Sequence, residues 1–539
     1  LRSLLSDLLL QRLTPATLST VPVAKNKRLY RALRLSILDG SIRAGSRLPA
    51  SRDLAQELEI SRNTVLAAYD QLQAEGYIQT RTGGGTFVTT DLPEEGLDKM
   101  DNPPQHSGPE PDVALSTRGT HLLNHCGVAS YQWGTFMPGV PDVRLFPHEV
   151  WRKLQTRLSR HLNPENLTYS VHGGCPQLQQ ALADYLRIAR SVSCTPDQIL
   201  ITAGTHQALD LLAKMLCDPG DHAWIEEPSY WGIRNVLTIN GIEVIPVSVD
   251  KNGMDPLDLP FESRSPRLIC VTPSHQYPLG SVMSLTRRQR ILALAQQHNC
   301  WVVEDDYDSE FRFSGSPIPS LQGLSPDAPV IYLGTFSKTL YPGMRISYMV
   351  LPRPLAQQFK VAHSELYRGG NGMMQLTLAE FIREGHYASH IRRMRLIYGK
   401  RRAALVSIIK QQLGESFLAE YGNAGLHLIL ALPESIDDVA LSAELEQKGV
   451  LVRALSGYYL KSPPRRGLLL GYGCVPEEAM EAVFAPIVSY LRRLTNPDDA
   501  DLKRPVCQSP PINFPTLINC VTTLTKLAYF CLNPHSCGV

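Results

Sequence analysis

The sequence predicts a multidomain protein. A small α+β unit of helices closed by a hairpin comes first, and a large α/β unit on a mostly parallel sheet follows. Three observations carry this. The chain has 539 residues, more than one ordinary core holds. Between Pro22 and Val88, helical runs give way to a short segment with a glycine-rich tip. Beyond residue 128, short apolar runs with strand character alternate with helical patterns, as in βαβ units.

Composition narrows the function classes. Apolar content of 43% and charged content of 19% suit a globular chain. No run of 18 uncharged apolar residues is present, so no membrane span is expected. At the start, Leu1 to Leu10 has an apolar flavour interrupted by Asp7 and followed by Gln11 and Arg12, which fits a short amphipathic helix better than a signal peptide. The eleven cysteines show neither CxxC nor Cys/His metal spacing, so reduced thiols in a cytoplasmic protein without a metal site are expected. Net charge is only +2, but it is unevenly placed: residues 22–88 hold ten Lys/Arg and six Asp/Glu.

Within that basic segment, Leu29 to Leu38 has apolar residues at helical spacing and stops at Asp39-Gly40. Ala44-Gly-Ser-Arg-Leu-Pro49 is a turn, Ala50-Ser51 caps a short helix over 52–58, and Ile60-Ser61 caps a second over 62–74. Gly76 to Val88 reads as a hairpin tipped by Gly83, Gly84 and Gly85. Helix, tight turn, helix and hairpin make a winged helix-turn-helix, a reader of double-stranded DNA. The second helix opens with Ser61, Arg62, Asn63 and Thr64, placed to meet base edges and phosphates in the major groove. Arg62 can pair bidentately with guanine, and Asn63 with adenine or a phosphate. Arg52 would bind phosphate from the preceding helix, and Arg81, Gly84, Gly85 and Thr86 belong to the wing. The bland alternative is a helical protein–protein module with a solvated basic surface.

These words, from Leu48-Pro49-Ala-Ser51-Arg52 through Ser61-Arg62-Asn63-Thr64-Val65 and Glu75-Gly76-Tyr77 to Gly85-Thr86-Phe87-Val88, resemble the GntR family of bacterial regulators over residues 22–88. Residues 89–127, rich in Pro, Asp, Glu, Ser and Asn, are expected to be a flexible linker.

The large unit, residues 128–492, is organised around Thr335-Phe-Ser337-Lys338-Thr-Leu-Tyr-Pro-Gly343-Met-Arg345. It follows the apolar run Val330 to Gly334, so Lys338 sits just past a strand end, where open α/β sheets place ligand groups. A lysine amine there can form a Schiff base with an aldehyde cofactor, and Thr335, Ser337 and Arg345 can hold a phosphate. Asp305, at the end of another apolar strand 33 residues upstream, supplies the acid that a pyridinium nitrogen needs, with Asp306 as the rival. The strand Gln198 to Thr202 leads into Ala203-Gly204-Thr205-His206, a strand–glycine–helix junction whose free N–H groups suit a phosphate. Tyr230 follows another strand and can stack on an aromatic cofactor. Thr272-Pro-Ser-His275-Gln276-Tyr-Pro278-Leu-Gly280 follows a further one.

This large unit resembles a fold-type I, PLP-dependent aminotransferase over residues 130–492, and the whole chain resembles the MocR group of the GntR family. The resemblance rests on the words around His275 and Pro278, on Glu304-Asp305-Asp306-Tyr307-Asp308, on Thr335 to Arg345 and on Gly385-His386 with His390 to Arg395. It implies a smaller C-terminal α/β subdomain, pyridoxal 5'-phosphate as cofactor and a homodimer. Lys338 would form the covalent link, Asp305 would face the pyridine nitrogen and Tyr307 the ring hydroxyl. Gly204, Thr205, Thr335, Ser337 and Arg345 would hold the phosphate. His206, Tyr230 and Gln276 are further cofactor contacts, and Tyr169 would reach the site from a partner subunit. Two departures stand out. Tyr277 replaces the usual asparagine before Pro278, and the arginine that takes a substrate carboxylate would fall near Leu469, where there is none.

The expected function is a cytoplasmic, nucleoid-associated bacterial transcription regulator that binds paired half-sites in promoter DNA. Its aminotransferase-like domain would sense pyridoxal 5'-phosphate or an amino compound. The alternative is an active aminotransferase with an auxiliary DNA-binding module; at most a half-reaction or weak activity is expected. Residues 493–539, a tail holding four of the eleven cysteines, carry no functional reading.

Overall fold

The computed structural model describes residues 4–13, 24–81, 84–90, 115–125, 127–128, 131–256, 265–313, 319–325, 327–419 and 424–495. Most of the expected linker, wing residue Gly83 and the tail from 496 on therefore lie outside the described residues. The chain divides into two compact units, Leu1–Ala114 and Leu115–Val539.

The first unit packs α1 (Leu4–Leu13), α2 (Lys25–Leu38), α3 (Ser51–Glu57) and α4 (Arg62–Ala74) with a hairpin of β1 (Ile78–Arg81) and β2 (Gly85–Val88). Leu29, Leu33 and Ile37 of α2 fall on one helical stripe and close on Leu54, Val65, Tyr69 and Leu72. Ser61 sets where α4 begins: its side chain accepts from the Thr64 N–H at 3.2 Å. The first helix, outside the expected winged helix-turn-helix, seats Leu9 in the same core.

The second unit begins with α5 (Thr117–Asn124), α6 (His148–Ser159) and α7 (Pro176–Arg190). The first of these corrects the linker expectation. Ser116 caps it by accepting from the Gly119 N–H at 3.1 Å, and Asn235 Nδ2 donates to His125 O at 2.8 Å just past its end. Its short length and exposed leucines hid it in the sequence.

Then come β3 (Ile199–Thr202), α8 (Thr205–Leu216), β4 (His222–Glu227), α9 (Trp231–Ile239), β5 (Glu243–Asp250), β6 (Gly253–Met254), β7 (Leu268–Val271), α10 (Leu285–Gln297), β8 (Trp301–Asp306), α11 (Leu321–Leu324), β9 (Val330–Thr335) and β10 (Ser347–Val350). Their sheet has the order β3-β10-β9-β8-β7-β4-β5-β6. Strands β9, β8, β7, β4 and β5 are parallel neighbours, and β10 runs antiparallel between β3 and β9. Strand β3 therefore runs the same way as β9, and the ends of β3, β9, β8, β7 and β4 share one edge. β3, β4, β7, β8 and β9 are buried along nearly their whole length, as a sheet covered on both faces requires.

Helices α12 (Arg353–Tyr367), α13 (Gly372–Arg383) and α14 (His386–Gln412) lead to a smaller α/β part: β11 (His427–Ala431), α15 (Asp438–Gln447), β12 (Arg453–Ala454), β13 (Gly467–Gly471) and α16 (Met480–Thr495). Its three strands are ordered β11-β13-β12. No helix among the described residues is long and apolar enough to cross a membrane.

Candidate functional site

The common edge of the parallel strands gathers most of the residues singled out in the sequence. Lys338 lies in the turn just after β9. Its ammonium sits against Gly139: a Cβ on that glycine would stand 3.2 Å from Lys338 Nζ. Burial lowers the Lys338 pKa, and the carboxylates of Asp308 and Asp305 partly counter it.

Asp305 and Asp306 are the last two residues of β8, and side chains of successive strand residues leave on opposite faces. Asp306 accepts from Arg190 Nε at 2.6 Å and from Tyr332 Oη at 2.6 Å. Asp305 makes no such bond; the Oδ1 of each aspartate is buried and unpartnered, and the two differ in that only Asp306 has its Oδ2 tied down. Burial, reinforced by Asp306, raises the Asp305 pKa to about 7, while Lys338 pulls it down. Asp305 is thus the carboxyl that shares the Lys338 face.

Tyr307 follows at once. Its hydroxyl lies 2.9 Å from His275 Nδ1, which is also 3.1 Å from each oxygen of Asp308. Both His275 and Asp308 are 2% exposed. A carboxylate beside Nδ1 favours the tautomer with its proton there, and that N–H faces the Tyr307 oxygen as well. The phenolic hydrogen is then left to point elsewhere. The ring of Tyr277 stands 5.7 Å from that of Tyr307 and 5.9 Å from that of Tyr230, perpendicular to within a few degrees in both cases.

On the other flank, α8 begins right after Gly204, and its first N–H groups have no partner within the helix. Gly204 has φ +117°, and a Cβ there would fall 2.7 Å from Arg345 Nη2. Arg345 itself takes a left-handed φ of +53°, which brings its guanidinium back over the glycine. Its charge also reaches His206 and Tyr230. His206 Nε2 is 3.1 Å from Tyr230 Oη, so these two residues form one wall. Thr335 Oγ1 accepts from Ser347 Oγ at 2.8 Å and from the Ser337 N–H at 3.1 Å, fixing the turn that carries Lys338.

Two expected contacts are not brought there. Gln276 is a correction: its amide donates to Pro228 O at 2.8 Å and Tyr277 O at 2.8 Å, and accepts from the Leu279 N–H at 3.0 Å. It ties down the loop after β7, and no donor is left for a ligand. Tyr169 is 71% exposed.

These residues fit pyridoxal 5'-phosphate. An unpartnered buried carboxyl awaits a protonated ring nitrogen, a lysine with lowered pKa awaits an aldehyde, and a glycine under an arginine at a helix start suits a phosphate.

In the first unit, Arg52, Arg62 and Asn63 are exposed, and Arg62 Nε makes only a long 3.3 Å contact to Ser51 Oγ. Ser61 and Thr64 are committed to the cap, their hydroxyls 2.8 Å apart. On the wing, Arg81 lies over the Phe87 ring at 5.0 Å. Arg47 was missed: a Cβ on Gly85 would meet its Nε at 2.9 Å, so this guanidinium lies across the wing beside Gly85 and Thr86. Its signal in the sequence was only its place in a turn before the helices.

Comparison with known proteins agrees with both units. Residues 25–88 match the family described as bacterial regulatory proteins, gntR family, and residues 139–478 match aminotransferase class I and II. The probable rhizopine catabolism regulatory protein MocR of Rhizobium meliloti is 39% identical over 85% of this chain and 92% of its own length. The HTH-type pyridoxine biosynthesis transcriptional regulator PdxR of Corynebacterium glutamicum is 31% identical over 87% of this chain and 98% of its own. Among solved structures, Pyrococcus horikoshii kynurenine aminotransferase in complex with PMP superposes with a TM-score of 0.63 at 25% identity, covering 71% of this chain and 96% of that one.

Proposed function

The chain belongs to the GntR family of bacterial regulators, among those fused to an aminotransferase class I and II domain, and from that premise we propose that it is a cytoplasmic regulator that reads pyridoxal 5'-phosphate, or an amino compound reacting with it, and adjusts transcription accordingly. The observation that carries the sensing half is the unpartnered Asp305 Oδ1 on the face of Lys338.

When bound, the cofactor supplies an aldehyde that captures amines and a ring that withdraws electrons. The residues prepare its place. Lys338 offers an amine whose proton burial makes easier to lose. Asp305 would hold the proton on the ring nitrogen, and Tyr307, its oxygen fixed by His275, would donate its hydrogen to the ring hydroxyl. Tyr230 would pack on the ring. The α8 start at Gly204 and Thr205, with Thr335, Ser337 and Arg345, would hold the phosphate. Tyr169 of a second copy would complete the site, which makes the working form a homodimer. Two winged helix-turn-helix units on that dimer would take paired half-sites, and a ligand that favours one arrangement of the dimer shifts DNA affinity by its differential binding.

The complete set of Lys338, Asp305 and Tyr307 favours a second reading, an aminotransferase. Fluorescence anisotropy on DNA from upstream of the protein's own gene, with and without pyridoxal 5'-phosphate across a salt series, separates the two. Sequence-selective, salt-dependent binding that shifts with the cofactor is expected of the regulator. Binding indifferent to sequence, with steady turnover of an amino acid and a keto acid, would establish the enzyme.

A further inference from the structure

Arg453 is half-buried on β12, yet it forms no hydrogen bond or ion pair with any described residue. Arg466, just before β13, is by contrast held by Asp438 at 2.9 Å. A half-buried guanidinium without an anion is costly unless a ligand supplies one.

Strand register says where that guanidinium goes. Arg453 is directly opposite Leu469 in the antiparallel β12–β13 pair, and directly opposed residues share a face of the sheet. Leu469 is fully buried on the face that packs against Leu279, Tyr458 and the half-buried Tyr277 and Trp231. Arg453 therefore leaves the sheet toward the same tyrosines. Its charge acts on both Tyr277 and Tyr458, whose hydroxyls are 3.1 Å apart. Tyr277 in turn is the ring that touches Tyr230 and Tyr307 edge to face. One tyrosine thus separates the free cation from the Lys338 compartment, whose own buried side chains near the amine, Asp305 and Asp308, are acidic.

We propose that Arg453, with the paired hydroxyls of Tyr277 and Tyr458, is the anchor for the carboxylate of an amino acid whose amine end addresses Lys338. A guanidinium fork matches a carboxylate bidentately, and the tyrosine pair can turn one hydroxyl hydrogen toward the same oxygens. The buried Leu469 leaves the facing strand position without a charge, so selection for a carboxylated amine falls to its cross-strand partner. This names the effector class of the sensing site and rests on the reading of Lys338 given above.

The test uses the full-length protein reconstituted with pyridoxal 5'-phosphate. The change in its visible band is titrated with amine pairs that differ by the carboxylate alone: L-alanine against ethylamine, 3-aminopropionate against ethylamine, and 5-aminovalerate against n-butylamine. At least one acid should bind about tenfold or more tightly than its amine, the range of a charge-assisted hydrogen bond. Arg453→Met should abolish that preference while leaving the amine affinity and the unliganded band unchanged, and Arg453→Lys should keep part of it. No preference in the wild type, or a preference that survives in Arg453→Met, overturns the proposal. A wild-type protein without a visible band overturns the Lys338 reading instead. The Arg453 proposal is then decided on cofactor-free protein, where 5-aminovalerate should raise the unfolding temperature more than n-butylamine does, and Arg453→Met should erase the difference.

Discussion

Arg190 Nε donates to Asp306 Oδ2 at 2.6 Å, and this bond separates the roles of two adjacent aspartates. Arg190 also reaches Ser274 Oγ at 2.7 Å, and Tyr332 gives Asp306 a second donor. Asp306 is the structural member, and Asp305 on the opposite face is left for a ligand. Arg190→Met strands a buried carboxylate and should cost about 3–5 kcal/mol of stability in urea unfolding. Asp305→Asn should leave the fold intact and weaken cofactor retention. The assignment of the two aspartates would be reversed if Asp306→Asn lost the cofactor at unchanged stability.

The raised pKa of Asp305, about 7, gives a pH signature in the cofactor-free protein. In the unfolded chain the group titrates near its ordinary value of about 4. The folded state therefore holds the extra proton between about pH 4 and 7. The stability that proton represents is fully present below about pH 4 and is lost as pH rises through 7. Asp305→Asn should thus match the wild type at about pH 3 and exceed it increasingly as pH rises, by at most about 4 kcal/mol at pH 8 for a shift of three units. Equal stabilities of the two proteins at every pH would show that Asp305 is not held protonated.

Lys338→Ala should abolish the visible absorbance that pyridoxal 5'-phosphate gives when linked to the protein. The side chain is half-buried and no hydrogen bond ties it to a described residue, so the variant should remain folded, with an unchanged far-UV spectrum. A band that persists after dialysis of the purified variant would place the link on another lysine.

How much of this was legible follows from what each residue's neighbours are. The fold class was readable because strand periodicity and the glycine-rich wing are local signals. β8 and β9 were found from their apolar runs. β5 was not, because it alternates with half-buried positions, and neither was β10, which opens on Ser347 directly after the Lys338 turn. The face that each aspartate takes was not legible either, since it depends on Arg190, 116 residues away. Gln276 looked like a ligand residue from its place at a strand end. Its amide is instead committed to the loop carbonyls, which only the folded turn reveals.

Gly204→Ala tests the phosphate cradle without touching any reactive group. The glycine has φ +117°, which a side chain tolerates poorly, and the new Cβ would fall 2.7 Å from Arg345 Nη2. The arginine must move off the α8 start. The affinity for pyridoxal 5'-phosphate should fall by about tenfold or more, in keeping with one lost charge-assisted contact. The affinity for pyridoxal, which lacks the phosphate, should change little. An equal loss for both compounds would mean that the substitution disturbs the fold instead of the cradle.

Arg62 and Arg47 make the sharpest comparison on the DNA side. Arg62 is exposed in the first turn of α4, held only by the long contact to Ser51, so its fork is available to a base edge. Arg47 lies across the wing beside Gly85, outside the α4 start that would enter the groove. Arg62→Ala should cost about 1–3 kcal/mol on the preferred site and relax the preference at one base pair. Arg47→Ala should weaken all sequences alike and lower the slope of log affinity against log salt by about one, as for one lost phosphate contact. Anisotropy on the preferred and a scrambled duplex, each across the salt series, reads both effects. If Arg62→Ala weakened the two duplexes equally, the start of α4 would be a phosphate clamp, and base reading would fall to Asn63.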